Sequence, residues 1–242
     1  MLTLGIDSSG EVGAVGLADG NNMLGEINID LVHRHSEELL NNIDYLIKQT
    51  GTSIKEIEGL AVTLGPGSFT GLRIGLSTVK TFAQVLKIPV IGISTLDSLA
   101  YNLNLVDNWL VPMIDAKRNR IYTSVYKKWN QDIVSEKYIG DQAVHIEEFI
   151  EELTNIDPGG VFTFVGNAAI IYSNVLEKSG LKIRVANINT SIPRGGAVAE
   201  LGSYYLRNGR SDNYLELLPN YLKKPQAEIN WLKKHGKGEV NA

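Results

Sequence analysis

The feature that most constrains this chain is an order of strands and helices that runs once and then begins again. Leu2, Leu4 and Ile6 alternate, followed by Val12 and Ala14 and then Ile27 and Ile29, with Asp19-Gly20-Asn21-Asn22 between the second and third runs. Period and turn chemistry read these as three short strands in a meander. Leu39, Leu40, Ile43, Leu46 and Ile47 then follow helical spacing, with Ser36 as N-cap, Glu37 and Glu38 at the positive end of the dipole and Gly51 as stop. A buried strand over 60–64 leads to a helix over 70–86 with Leu72, Leu76, Val79, Ala83 and Leu86 on one face. A strand over 90–93 and a short helix capped by Thr95 and ending at Asn102 close the first round.

The second round predicts strands over 110–114, 121–125 and 133–139. A helix carrying Ile146, Phe149, Ile150 and Leu153 follows, then a strand over 161–165, a helix over 168–178, a strand over 183–185 and a helix over 195–208. Two landmarks tie the rounds together. Asp7 and Asp115 each end a first strand and lie 108 positions apart, and Gly65 and Gly166 each follow a buried strand and lie 101 apart. Similar offsets at equivalent places point to a duplicated unit. Order alone also allows an unrelated α/β succession. The polar stretch 102–108 is the natural boundary, giving subdomains over 1–105 and 106–222, with helix 195–208 free to pack back on the first. A basic tail over 223–242 follows.

Composition narrows the function classes. The 242 residues carry 23 Lys and Arg against 27 Asp and Glu, a net charge of −4, and are 43 % hydrophobic, which excludes an intrinsically disordered chain. No apolar run approaches the ~20 residues that span a bilayer, and residues 1–7 read as a strand and not a signal peptide, so a soluble, cytoplasmic chain without a membrane partner is expected. Cysteine is absent, which removes disulfides, thiolate metal sites and a Cys nucleophile. The net negative charge argues against a protein that grips nucleic acid unaided.

The most specific segment runs Gly65-Pro66-Gly67-Ser68-Phe69-Thr70-Gly71-Leu72-Arg73-Ile74-Gly75. A glycine-rich turn between a strand and a helix gathers backbone N–H groups suited to an anion, but the Walker spacing and its Lys are missing. Gly71 and Gly75, four apart on one helix face, suit close packing equally, and both readings stand at this level. Asp7-Ser8-Ser9-Gly10 reads either as a phosphate- or metal-water-binding turn or as an Asx turn between strands. His33 and His35 do not form a helical metal face, His145 and His235 are isolated, and no Gly-x-Ser-x-Gly elbow occurs, so a metal site is not expected. From 222 to 238 five Lys (223, 224, 233, 234, 237) face one Glu (228) around Trp231. Such a segment is either a solvated tail or a contact for RNA phosphates and bases, through Lys223, Lys224, Trp231, Lys233 and Lys234.

The repeated three-strand unit with Asp7 and Asp115 at strand ends resembles the actin–hexokinase–Hsp70 (ASKHA) superfamily. That resemblance implies a duplicated βββαβαβα, ribonuclease H-like α/β fold in two subdomains. Within it, the Gly65–Gly75 segment, Ile114-Asp115-Ala116-Lys117 with Tyr122, and Pro219-Asn220-Tyr221-Leu222 resemble the TsaB (YeaZ) family over essentially the whole chain. The resemblance implies a partner subunit in the machinery that makes threonylcarbamoyladenosine beside the anticodon of tRNA. Its companions there are the threonylcarbamoyl-transferring, metal-carrying paralogue TsaD and the ATPase TsaE. One departure is informative. TsaD carries a His-x-x-x-His metal pair where this chain has Thr95 and Leu99, and neither replaces an imidazole nitrogen.

The reading that follows is a non-catalytic subunit that activates a TsaD-like transferase, forms a homodimer when alone, and meets tRNA only within the complex. Asp7, Ser8, Ser9, Gly65, Gly67 and Ser68 become a vestigial phosphate loop. No cofactor is expected, with weak nucleotide binding left open. The candidate interface is an apolar patch of Leu39, Leu40, Ile43, Leu46, Ile47, Leu72, Leu76, Val79 and Phe82, unless those residues pack only on their own sheet. The alternative reading is an ASKHA small-metabolite kinase or a peptidase-like enzyme, for which Gly166-Asn167 and Gly195-Gly196 would supply the nucleotide site.

Overall fold

A computed structural model describes residues 1–30, 35–103, 108–127, 137–223 and 231. The first lobe opens with strands β1 (Leu2–Asp7), β2 (Val12–Asp19) and β3 (Asn22–Asp30), then helix α1 (His35–Gln49), β4 (Gly59–Gly65), α2 (Phe69–Leu86), β5 (Val90–Ser94) and α3 (Thr95–Tyr101). The second contains β6 (Trp109–Asp115), β7 (Arg120–Lys127), β8 (Lys137–His145), α4 (Ile146–Ile156), β9 (Val161–Val165), α5 (Asn167–Ile171), α6 (Ser173–Glu177), β10 (Lys182–Val185) and α7 (Gly195–Arg207). The sheet orders are β3-β2-β1-β4-β5 and β8-β7-β6-β9-β10. In each, the first three strands pair antiparallel and the last two add in parallel. The duplication read from the sequence is therefore present as the same topology twice, the α/β actin-like architecture of the ASKHA proteins. Gly65 and Gly166, its landmarks, share a φ of +112°.

Several boundaries differ from the sequence reading, each for a local reason. α1 begins at His35, so Ser36 lies inside its first turn. It ends as expected at Gly51, whose φ of +67° lets its N–H reach the Lys48 carbonyl while Thr52 reaches Ile47. Ser94, not Thr95, caps α3, its side chain accepting from the Leu96 N–H. The third strand of the second round is described over 137–145, so it meets the predicted 133–139 only at 137–139, and 133–136 lie outside the described residues. It is an edge strand, so Tyr138 and Gly140 face outward and weaken the apolar signal. The predicted helix 168–178 is two short helices broken at Tyr172 (φ −100°, ψ 17°).

The core shows how the lobes depend on each other. One face of the first sheet packs Leu4, Ile6, Leu60 and Val62 against Leu39, Ile43 and Leu46 of α1 and Leu76 and Val79 of α2. Its other face carries Ala61, Ile91 and Ile93 against Val198, Leu201 and Tyr205 of α7, a helix that follows the second sheet in sequence. In the second sheet, Val111, Met113, Phe162 and Phe164 pack against α4, α5 and α6, while Leu110, Tyr126 and Val165 pack against Leu99 and Ala100 of α3. Each lobe thus lends its last helix to the other. α7 lies so close that a Cβ at Gly16 would sit 2.2 Å from the Gly195 carbonyl carbon, and one at Gly5 2.3 Å from Ala199 N. Glu26 on β3 fixes its start, accepting from Gly196 N at 3.0 Å and pairing with Arg194, while Asn28 accepts from Gly195 N.

After α7 the chain crosses back over the first lobe. The Gly92 N–H donates to Asp212 Oδ2 at 2.7 Å, Leu217 is buried in the first core, and Asn220 N donates to Leu64 O at 2.7 Å. This strap over 212–221, assigned by sequence to the second subdomain, belongs to the first. Apolar side chains, not sequence proximity, decide which sheet a segment covers.

Candidate functional site

The glycine segment leaves β4 at Gly65, where a φ of +112° excludes an ordinary side chain, and passes a cis Gly65–Pro66 peptide. Ser68 then caps α2 by accepting from Gly71 N at 3.3 Å. The β1–β2 turn lies against it. Asp7 Oδ1 accepts from Ser9 N at 2.8 Å and from Ser9 Oγ at 2.6 Å, closing an Asx turn. Ser8 Oγ donates to the Gly71 carbonyl at 2.8 Å, and Ser68 N donates to the Ser9 carbonyl at 2.6 Å. A Cβ at Gly67 would meet Ser9 O at 2.3 Å, one at Gly71 would meet Ser8 O at 2.0 Å, and one at Gly75 would meet Ser8 Oγ at 2.3 Å. Asp7, Ser8, Ser9, Gly67 and Ser68 are therefore brought together. Gly65 stands behind them, against Asn220 of the strap. The loop that could cradle a phosphate holds the chain's own turn, and of the two sequence readings close packing describes it.

The equivalent turn in the second lobe is built differently. Asp115 accepts from Lys117 N at 3.0 Å and from the Tyr172 hydroxyl at 3.2 Å, and pairs with Lys117 Nζ at 2.9 Å. That hydrogen bond and charge hold the Lys117 ammonium above its ordinary pKa. Lys117, Arg118 and Asn119 have φ values of +63°, +58° and +58°. Three consecutive left-handed residues other than glycine cost roughly 1 kcal/mol or more each, so the fold around this turn over-determines it.

Between this turn and the glycine loop lies a cavity of about 420 Å³ whose third wall is the end of the strap. The Tyr221 ring stacks on Phe69 with centroids 4.5 Å apart. Arg73 Nε donates to the Tyr221 hydroxyl at 3.0 Å, and its guanidinium lies 3.9 Å over the Phe69 ring. Lys117, Arg118 and Lys223 line the cavity, and no lining residue is acidic. Burial, followed by the charges of Arg120 and Arg118, pushes the Lys223 ammonium below its usual pKa.

A second polar cluster joins the lobes at α3. Lys137 Nζ lies 2.7 Å from both Asp97 Oδ1 and Asp141 Oδ1. Ser94 Oγ donates to Asp141 Oδ2 at 2.7 Å, and the buried Tyr126 hydroxyl donates to Asp97. Burial pulls the Lys137 ammonium down, but Asp97 and Asp141 outweigh it and hold it above its ordinary value. The Tyr126 hydroxyl is raised well above 10, by burial first and by Asp97 second.

The predicted apolar patch is not a surface. Leu39, Ile43, Leu46, Ile47, Leu72, Leu76 and Val79 are all buried within this one chain, because the sheet face and the packing of α1 on α2 consume them. Of the nine residues, only Leu40 is exposed, at 52 %, and Phe82 is half-buried. Thr95 and Leu99 are buried too, Leu99 in the core beneath the second sheet, and among the described residues no three His, Asp or Glu side chains gather to hold a metal. Gly195 and Gly196 are used in seating α7, and Asn167 accepts from Asp115 N. Lys223 is described and lines the cavity. Trp231 is half exposed, and Lys224, Lys233 and Lys234 lie outside the described residues. Sequence reasoning missed the Asp97–Lys137–Asp141 cluster and the cationic wall at Lys117 and Arg118. The second had a signal, since Lys117-Arg118-Asn119-Arg120 places three cations in one turn.

A family model described as TsaD, tRNA N6-adenosine threonylcarbamoyltransferase, matches residues 30–231. Over 233 residues the chain is 28 % identical to the tRNA threonylcarbamoyladenosine biosynthesis protein TsaB of Bacillus subtilis (strain 168), covering 96 % of this chain and 98 % of that one. The protein of the same description from Haemophilus influenzae is 29 % identical over 212 residues, covering 84 % of each. Among solved structures, YeaZ from Pseudomonas aeruginosa superposes with a TM-score of 0.74 at 20 % identity, over 91 % of this chain and 99 % of that one.

Proposed function

This chain belongs to the TsaD family, as a member of its TsaB (YeaZ) branch of tRNA threonylcarbamoyladenosine biosynthesis proteins, and from that premise we propose that it is a non-catalytic subunit. In this reading it activates a TsaD-like threonylcarbamoyltransferase, acts together with a TsaE-like ATPase, and pairs with a second copy of itself when alone. It works in the cytoplasm, and no described helix is long and apolar enough to cross a membrane.

The observation that carries the reading is the fate of the catalytic positions. Leu99 is packed against Leu110 and Val165, and the Thr95 side chain is buried, so the places where the resemblance puts metal-binding imidazoles hold core residues. The donor set does not fit a transition metal, which wants imidazole, thiolate or carboxylate. The first phosphate loop supports the same reading, since the Ser68 N–H is spent on Ser9. Any nucleotide binding is correspondingly weak. An interface on α1 and α2 uses their outward ridges, where Leu40, Tyr45 and Val85 are exposed, and not the buried stripe.

The test is reconstitution of tRNA modification from a TsaD-like transferase and a TsaE-like ATPase, with and without this chain, read by nucleoside analysis. Omitting the chain should abolish product, and the chain alone should form none. Product formed by the chain alone, or at an undiminished rate without it, overturns the proposal.

A further inference from the structure

The cavity between the glycine loop, the Lys117–Asn119 turn and the strap is unused by a purely structural role. A chain of net charge −4 gathers Lys117, Arg118 and Lys223 on its wall, with Arg120 beside them and no acidic residue lining it. Lys117 is paired with Asp115, whereas no acidic partner faces Arg118 or Lys223 among the described residues. Three left-handed residues in succession hold the turn that carries two of these cations. The same lining includes Tyr122 and the Phe69 and Tyr221 rings, which stack on each other.

Cations and aromatic rings lining one cavity are the complement of a phosphate that carries a base. The volume suits roughly one such unit and lies within the usual ~300–1,000 Å³ of ligand pockets. Two observations favour a residue of a strand over a free triphosphate. The backbone cradle that a triphosphate would need is filled by Ser8 and Ser9. In addition, positive charge continues along the sequence beyond the cavity, at Lys224, Lys233, Lys234 and Lys237, as a ligand with several phosphates would require.

We propose that this cavity seats one nucleotide of a single-stranded RNA segment, its phosphate on Arg118 and Lys223 and its base against Tyr122 and the Phe69–Tyr221 pair. The choice of RNA over another phosphate-bearing strand rests on the functional reading above. Phosphate contacts position a strand without reading its sequence, so the site adds affinity and register and not tRNA identity.

The experiment uses the full chain, alone and mixed with a TsaD-like transferase, and a fluorescent RNA hairpin with a single-stranded loop, followed by anisotropy over a salt series. Arg118→Asn tolerates the left-handed backbone, and combined with Lys223→Gln it removes both cations. The double variant should bind roughly tenfold more weakly, with a salt slope smaller by about 1.4, since each single-strand phosphate contact contributes ~0.7. Lys55→Gln with Lys182→Gln, both exposed, removes the same charge and should change neither. Equal losses in both pairs, or an RNA affinity of the mixture that the double variant leaves unchanged, overturn the proposal. Displacement of the RNA by an equal concentration of AMP or ATP overturns it too, because the ligand is then a free nucleotide. Capture of the TsaD-like partner, measured on the same variants, separates the two ideas. Retained capture with lost RNA binding supports the cavity, whereas a wild-type chain that binds RNA but captures no partner counts against the functional reading alone.

Discussion

Replacing Lys137 by Met tests whether the polar cluster under α3 holds the two lobes together. The ammonium lies 2.7 Å from both Asp97 and Asp141, with the lysine side chain 24 % exposed and the two carboxylates 24 % and 10 % exposed. Removing one partner of a fully buried pair costs ~3–5 kcal/mol, because the charge left behind is neither hydrated nor matched. Partial solvation brings the expectation to about 2–3 kcal/mol. For a chain of this length that is a fall in Tm of roughly 4–12 °C. Adding Asp97→Asn to Lys137→Met should recover part of the deficit, because it removes one of the two carboxylates left without their cation. Calorimetry on the wild type, the single and the double variant measures this. A deficit under ~0.5 kcal/mol, unrelieved by the second change, would show the cluster to be an ordinary surface network and refute the reasoning.

Three further outcomes are expected. Ile43→Glu should unfold the chain, since it buries a charge in the first core, whereas Leu40→Glu on the same helix should leave Tm within about 1–2 °C and weaken pairing with the partner if the outer ridge of α1 is the interface. Gly71→Ala should lower stability by ~1–3 kcal/mol in thermal melts, because its methyl group would stand 2.0 Å from the Ser8 carbonyl oxygen, and wild-type behaviour would mean the loop is not closed on the turn. Wild-type stability should hold up to about pH 10 and fall above it. The unfolded chain releases the Tyr126 and Lys137 protons near their ordinary values of ~10 and ~10.4, while the folded chain retains them. An alkaline melting series on wild type and Tyr126→Phe measures the effect.

What the sequence could reveal follows from what kind of information periodicity carries. Alternation and turn residues located nine of the ten described strands closely, and the Asp7/Asp115 and Gly65/Gly166 pairs identified the duplication because identical backbone requirements recur at equivalent points. The helical stripe of Ile43, Leu46, Leu76 and Val79 announced a buried face but not what buries it, and here it is the chain's own sheet. Thr95 and Ser94 are both capping residues, and the one-residue choice between them is settled by where β5 releases the backbone. The pairing of Asp97 with Lys137 joins residues 40 positions apart in different lobes, a relation no local pattern encodes. The cavity is of the same kind, since Gly67, Arg118 and Lys223 meet only once both lobes and the strap are assembled.

The exchange of terminal helices between the lobes bears on how this protein is made. Domains usually fold as they leave the ribosome, the N-terminal one first. Here the first sheet emerges with Gly5, Ala61 and Ile91 bare on one face, and the helix that covers them does not exist until residues 195–207 are translated. The second sheet has its covering helix, α3, waiting from the start, and so is the one able to finish early. Nascent-chain maturation should therefore run in reverse of synthesis, with the first lobe closing only as the strap passes over it. An arrest that stops translation before residue 195 would leave a ribosome displaying a half-covered sheet, the kind of surface that trigger-type chaperones and aggregating neighbours both seek.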